Sequence, residues 1–102
     1  MKPLADDRLD ELLRAVSHED RRRFLRMCIK SAVSAGDLAE GSTLALASVS
    51  EHLKVLRKTG LLQLEKQGRF RYYRTDVALL RQVVATLASL ENAEMGTKRN
   101  AN

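Results

Sequence analysis

Apolar residues recur along this chain at two spacings, and the spacings divide it into elements. Leu9, Leu12, Leu13 and Val16 stand at i, i+3, i+4 and i+7, one face of a helix expected from about Leu4 to Val16. Phe24, Leu25, Cys28 and Ile29 repeat that pattern with Arg21, Arg22, Arg23 and Arg26 opposite. They predict a second helix that Ser17 can cap, with Glu19 and Asp20 in its first turn. Ser34-Ala35-Gly36-Asp37 reads as a break, Asp37-Leu38-Ala39-Glu40 as a short third helix, and Gly41-Ser42-Thr43 as a turn. A fourth helix over 46–58 has Val49, Leu53 and Leu56 on one face and Ser48, His52, Lys54, Arg57 and Lys58 away from it. Thr59-Gly60 ends it, because glycine takes the left-handed conformation that closes a helix.

After Gly60 the period drops to two. Leu62 and Leu64 alternate with Gln63 and Glu65, and Phe70 and Tyr72 with Arg71 and Tyr73. Lys66-Gln67-Gly68-Arg69 lies between them as a turn, so residues 61–74 read as a β-hairpin. A last helix, from about Asp76 to Glu91, carries Leu79, Leu80, Val83, Val84, Leu87 and Leu90. That face is broad for a surface helix, which predicts burial against the core on one side and a partner on the other. Residues 94–102 are small and polar and are expected to be a disordered tail, leaving 1–93 as a single domain.

Composition and charge narrow the function. No apolar run approaches a membrane span, and the start of the chain has no signal-peptide core. The single cysteine, Cys28, forms no internal disulfide and fits a reducing compartment, so a cytoplasmic location is expected. On the apolar stripe it reads as a small hydrophobe. The formal net charge is +5, and the seven basic and two acidic residues between Leu46 and Arg74 carry all of it. A basic surface confined to one stretch suits a polyanion, nucleic acid above all, although a solvated face with a chance imbalance fits charge alone equally well.

Placing that charge on the predicted elements sharpens the reading. A short helix, a turn and a polar-faced helix over Asp37–Lys58 make a helix-turn-helix, whose second helix fits the major groove of duplex DNA. The hairpin that follows forms a wing, with Lys66 and Arg69 at its tip near the adjacent minor groove or backbone. DNA contacts are expected from Leu46, Ala47, Ser48, Ser50, His52, Lys54 and Arg57 of the helix, and from Lys66, Arg69 and Arg71 of the wing. Leu46 and Ala47 can touch thymine methyls, while Ser48, Ser50 and His52 offer polar contacts. His18 is expected to be an exposed or capping residue without a ligand role. The chain has no nucleophile–base constellation and no glycine-rich phosphate loop, so it is not expected to be an enzyme.

Three stretches, LLRAVSHEDRRRFLRMC, AGDLAE with VSEHLKVLRKTGLL, and EKQGRFRYYR, resemble the arsenic-repressor-like (ArsR) family of winged-helix transcriptional regulators. The resemblance implies a mainly α, α+β fold: a winged helix-turn-helix with N- and C-terminal dimerisation helices. It implies a homodimer, with Leu9, Leu12, Leu80, Val84 and Leu87 at the interface, that binds an inverted-repeat operator in double-stranded DNA and represses transcription. The chain departs from that family at its sensing sites. Where arsenic sensors carry Cys-Val-Cys-Asp-Leu, this chain has Ser34, Ala35, Gly36, Asp37 and Leu38; where zinc sensors place ligands after Asp76, it has Ala78, Ser89 and Asn92. Such metals need several convergent Cys, His or carboxylate ligands, so no metal, no cofactor and no response through either family site is expected. The residues name no small-molecule or redox effector. The reading helix departs too: Ala45-Leu46-Ala47 replaces the usual polar start, which removes the N-cap hydroxyl and moves specificity toward apolar contacts and DNA shape. A winged-helix protein-interaction module without specific DNA binding is the alternative these substitutions leave open.

Overall fold

The computed structural model describes residues 2–97, with side chains described as far as Asn92. Its elements in chain order are α1 (Asp6–Val16), α2 (Glu19–Met27), β1 (Val33–Ser34), α3 (Ala35–Glu40), α4 (Leu46–Lys58), β2 (Leu62–Gln67), β3 (Phe70–Thr75) and α5 (Val77–Thr97). The expected mainly α, α+β winged helix-turn-helix is the fold observed. The apolar stripes meet in one core, where Leu12, Phe24, Cys28, Leu38, Leu56, Leu61 and Leu62 are fully enclosed. Burying each such side chain stabilises the fold by roughly 1.5–3 kcal/mol, which makes this core the dominant favourable contribution.

Leu12 corrects one expectation. Expected at a dimer interface, it is wholly inside the monomer, because α1 turns its Leu12–Ala15 edge into the core. Leu9 and Leu13 stay half-buried against that core. The N-terminal segment before α1 is extended and tied to α5: the Leu4 amide donates to Thr86 Oγ1 at 3.0 Å. The second helix begins after His18 rather than Ser17, and no side chain caps it. The last helix runs through Thr97, past the expected end at Glu91, and the remainder of the 94–102 tail lies outside the described residues.

The sheet has strand order β1-β3-β2 and is antiparallel throughout. Strand β1 meets the expected break only at Ser34, since two residues leave no alternation to read, and α3 takes up the rest of that break by starting at Ala35 rather than Asp37. Val33 and Ser34 become a strand by pairing with Tyr73 and Tyr72, and Ser34 then caps α3, its Oγ accepting from the Asp37 amide at 3.1 Å. The hairpin turn is tighter than expected: Gln67 pairs with Phe70, leaving Gly68-Arg69 as a two-residue loop. Gly68 has φ +63 while Arg69 keeps a negative φ, the type II′ pattern that suits the twist of paired strands. At the other end Thr75 locks the sheet to α2. Its Oγ1 donates to the Leu25 carbonyl at 2.7 Å and its amide to the Cys28 carbonyl at 3.0 Å.

Candidate nucleic-acid interface

Helix α4 is positioned by Val49, Leu53 and Leu56, all buried. A residue advances about 100° per step around a helix. The stripe opposite that trio is therefore Ala47, Glu51, Lys54 and Lys58, at i, i+4, i+7 and i+11, and all four are exposed. Leu46, Ser48, Ser50 and Arg57 are exposed on its flanks. The helix starts at Ala45 with no side-chain cap, as the missing hydroxyl implied, and closes through Thr59 and Gly60, whose φ is +87.

The hairpin register decides which basic residues join this face. Leu62, Leu64 and Lys66 pair with Thr75, Tyr73 and Arg71 on one side of the sheet. Leu62, Tyr73 and Thr75 are buried, so that side is the core side, and Lys66 and Arg71 continue it beyond the core edge. A cleft of about 380 Å³ opens there, between α4 and β3. Lys54, Arg57 and Lys58 line it from α4 and Arg71 from β3, with Ser50 and Tyr73 at its walls. Arg74 lies on the opposite side, where its Nε donates to Glu65 Oε2 at 3.1 Å. Arg69 is exposed at the hairpin tip. Lys66 stands directly across from Arg71 with no carboxylate between them, an arrangement that costs stability in the free protein and favours an anion.

One expected contact, His52, is placed differently. His52 follows Val49 by three residues and precedes Leu56 by four, so it flanks the buried stripe and faces α2 rather than the outer stripe. Its ring lies against that of His18, with centroids 4.7 Å apart and planes tilted by 51°. Its Nδ1 is shut off from solvent and has no hydrogen-bond partner. Burial lowers its pKa below the ordinary histidine value; the nearby His18 and Arg21 act in the same direction, and Asp20 and Glu51 act against it. A polar residue type had suggested the outer face, but angular position puts it beside the core. Glu51 and Lys58 share the outer stripe without being among the expected DNA contacts, although Lys58 is already expected away from the apolar face. The i, i+4, i+7, i+11 spacing carried that signal, whereas counting charge treated Glu51 only as a debit.

The remaining candidates also have clear places. Val84 is 62% exposed and Leu87 39% exposed on α5, one turn apart on one face with half-buried Leu80. Cys28 is fully enclosed, and burial pushes its thiol up to about 11. His18, Asp20 and His52 bring potential ligand atoms within 4.8 Å of one another, a grouping that spacing along the chain did not reveal. Among the described residues no helix is long and apolar enough to cross a membrane.

A helix-turn-helix domain model matches residues 16–65. The transcriptional repressor SdpR of Bacillus subtilis is 25% identical over 84 residues, covering 82% of this chain and 93% of SdpR. The transcriptional activator HlyU of Vibrio cholerae is 28% identical over 79 residues, 78% of this chain and 73% of HlyU. Among solved structures, an ArsR-like transcriptional regulator from Rhodococcus sp. RHA1 superposes with a TM-score of 0.76 at 27% identity, over 94% of each chain. The crystal structure of a possible transcriptional regulator for arsenical resistance superposes with a TM-score of 0.70 at 32% identity, over 78% of this chain and 83% of that one. A homodimeric winged helix-turn-helix DNA-binding domain from Mycobacterium bovis shares the fold, with a TM-score of 0.67 at 23% identity over 87% of this chain and 91% of that one.

Proposed function

The chain belongs to the ArsR family of winged helix-turn-helix transcriptional regulators, and from that membership we propose that it is a homodimeric, sequence-specific DNA-binding repressor acting in the cytoplasm. Members of this family regulate transcription and are not enzymes. The observation that carries the reading is the single basic surface formed by α4 and the wing, where Lys54, Arg57, Lys58 and Arg71 line one cleft and Lys66 and Arg69 extend it. Helix α4 enters the major groove with Ala47, Glu51, Lys54 and Lys58 foremost and Leu46, Ser48 and Ser50 beside them. Glu51 accepts from a cytosine amino group, and Leu46 and Ala47 meet thymine methyls. The wing follows the phosphate backbone into the neighbouring minor groove and positions the protein without reading sequence.

Two copies pair through the exposed face of α5, Leu80, Val84 and Leu87, with Leu9 at its margin. The Mycobacterium bovis domain is a homodimer, and a twofold axis presents two reading helices to an inverted repeat. Repression follows if the dimer covers a promoter, as the name of SdpR suggests, while HlyU is named an activator. A protein-interaction module is the second reading, and exposed Leu46, at 72%, favours it.

The test is selection of bound duplexes from a random pool, followed by titration of the selected and a scrambled duplex at several salt concentrations. A palindromic selected sequence, preferred by at least about 10³-fold, is the expected result. Failure to bind any duplex at low salt would overturn the reading and favour the interaction module. A reporter fused to a promoter carrying the selected site distinguishes repression from activation.

A further inference from the structure

We propose that His18, Asp20 and His52 form a binding site for a divalent first-row cation of the zinc class, bridging the start of α2 to the reading helix α4. Two imidazoles and one carboxylate are a donor set suited to such ions, with the remaining positions left for water. The three ligand atoms lie within 4.8 Å of one another, although the residues come from two helices far apart in sequence. Tetrahedral coordination at about 2.0–2.1 Å separates ligands by roughly 3.3 Å, so closure needs a side-chain movement of about 1.5 Å. His18 and Asp20 have room to make it: His18 is exposed at the cap of α2 and Asp20 is half-buried in its first turn.

His52 supplies the independent sign of a ligand. Its Nδ1 is enclosed and makes no hydrogen bond, so its lone pair is free to take a ligand; the Nε of neighbouring Arg21 is enclosed and unpartnered as well. The site lies on neither the third nor the last helix, where the family resemblance located metal ligands. Two features limit its strength. Arg21 stands beside it, although the guanidinium is turned toward the Arg14 carbonyl at 3.3 Å, and the α2 N-terminus carries partial positive charge. Asp20 and nearby Glu51 offset them. The balance makes this a reversible site, weaker than a four-ligand structural zinc site.

A cation held here would tie α4 to α2 and so bias the orientation of the helix assigned to DNA reading. That consequence rests on the proposed function, but cation binding does not, so the two are measured apart. The experiment uses tag-free full-length protein stripped with chelator and titrated with zinc chloride and cobalt(II) chloride in the absence of DNA. One ion per chain is expected, with the intense visible absorption of tetrahedral cobalt(II). His18→Ala and Asp20→Asn, both on accessible positions, should weaken binding at least about tenfold, and His52→Ala should abolish the cobalt spectrum. Undiminished binding in His18→Ala and Asp20→Asn, or no stoichiometric binding by the parent at about 100 µM zinc, would overturn the site. Far-ultraviolet circular dichroism of each variant separates lost binding from lost folding.

Discussion

Arg71 offers the sharpest separation between folding and DNA binding. It stands across from Lys66 at the edge of the core side of the sheet and lines the cleft beside Lys54, Arg57 and Lys58. In the free protein this crowding is unfavourable, and a directly opposed pair of like charges costs about 0.2–1 kcal/mol. In the proposed complex the same residue would neutralise phosphate. Arg71→Thr removes the charge and keeps a strand-forming side chain. Stability should therefore be unchanged or raised by up to about 1 kcal/mol, read as the urea midpoint. Each lost phosphate contact lowers the slope of log K against log salt by about 0.9, and a homodimer loses two, about 1.8 in all. Relative to a 1 M reference, that is roughly 60-fold weaker binding at 0.1 M salt, on operator and scrambled duplex alike. Fluorescence anisotropy at four salt concentrations measures both quantities. A variant that is less stable but retains the parental slope would refute the reasoning, because Arg71 would then be a structural residue and not a phosphate contact.

Three further outcomes are expected. Ala45 already has the extended backbone of an N-cap, φ −62 and ψ 150, but no side chain to accept from α4, so Ala45→Ser should stabilise the protein by about 0.5–2 kcal/mol and raise the thermal midpoint by several degrees; no change in calorimetry would argue against an uncapped helix start. Val84→Glu should leave the monomer fold intact, since Val84 is 62% exposed, yet convert a dimer to a monomer at micromolar concentration in sedimentation equilibrium by burying a carboxylate in the interface; a dimeric variant would remove this face of α5 from the contact. Cys28, with its thiol raised to about 11, should resist alkylation in the folded protein and react once unfolded; the thiol titrates at about 9 in the unfolded chain, so stability should decline as pH rises from about 9 to 11, and Cys28→Ala should remove that share of the decline, an equal pH profile in the variant speaking against it.

Much of this architecture is legible from local pattern. Helix α4 spans Leu46–Lys58 as its apolar period requires, because Val49, Leu53 and Leu56 must share a face wherever the helix is placed. Gly60 and Gly68 mark the helix end and the hairpin tip because both adopt positive φ, which side chains disfavour. The basic stretch and the apolar excess of α5 are likewise properties of residue order. Tertiary structure alone decided the rest. Val33–Ser34 is a strand only because Tyr73 and Tyr72 are there to pair with it. Leu12 and Leu9 belong to one helical stripe, and only the packing of α1 sends the first inside and leaves the second half-exposed. His52 looked like a reading residue because it is polar; the packing of α2 against α4 turned it inward onto His18. Local periodicity sets which residues share a face, but which neighbour covers that face depends on contacts between segments distant in sequence. The His18–Asp20–His52 cluster is of that second kind, absent from any spacing along the chain and formed only when the start of α2 meets the side of α4.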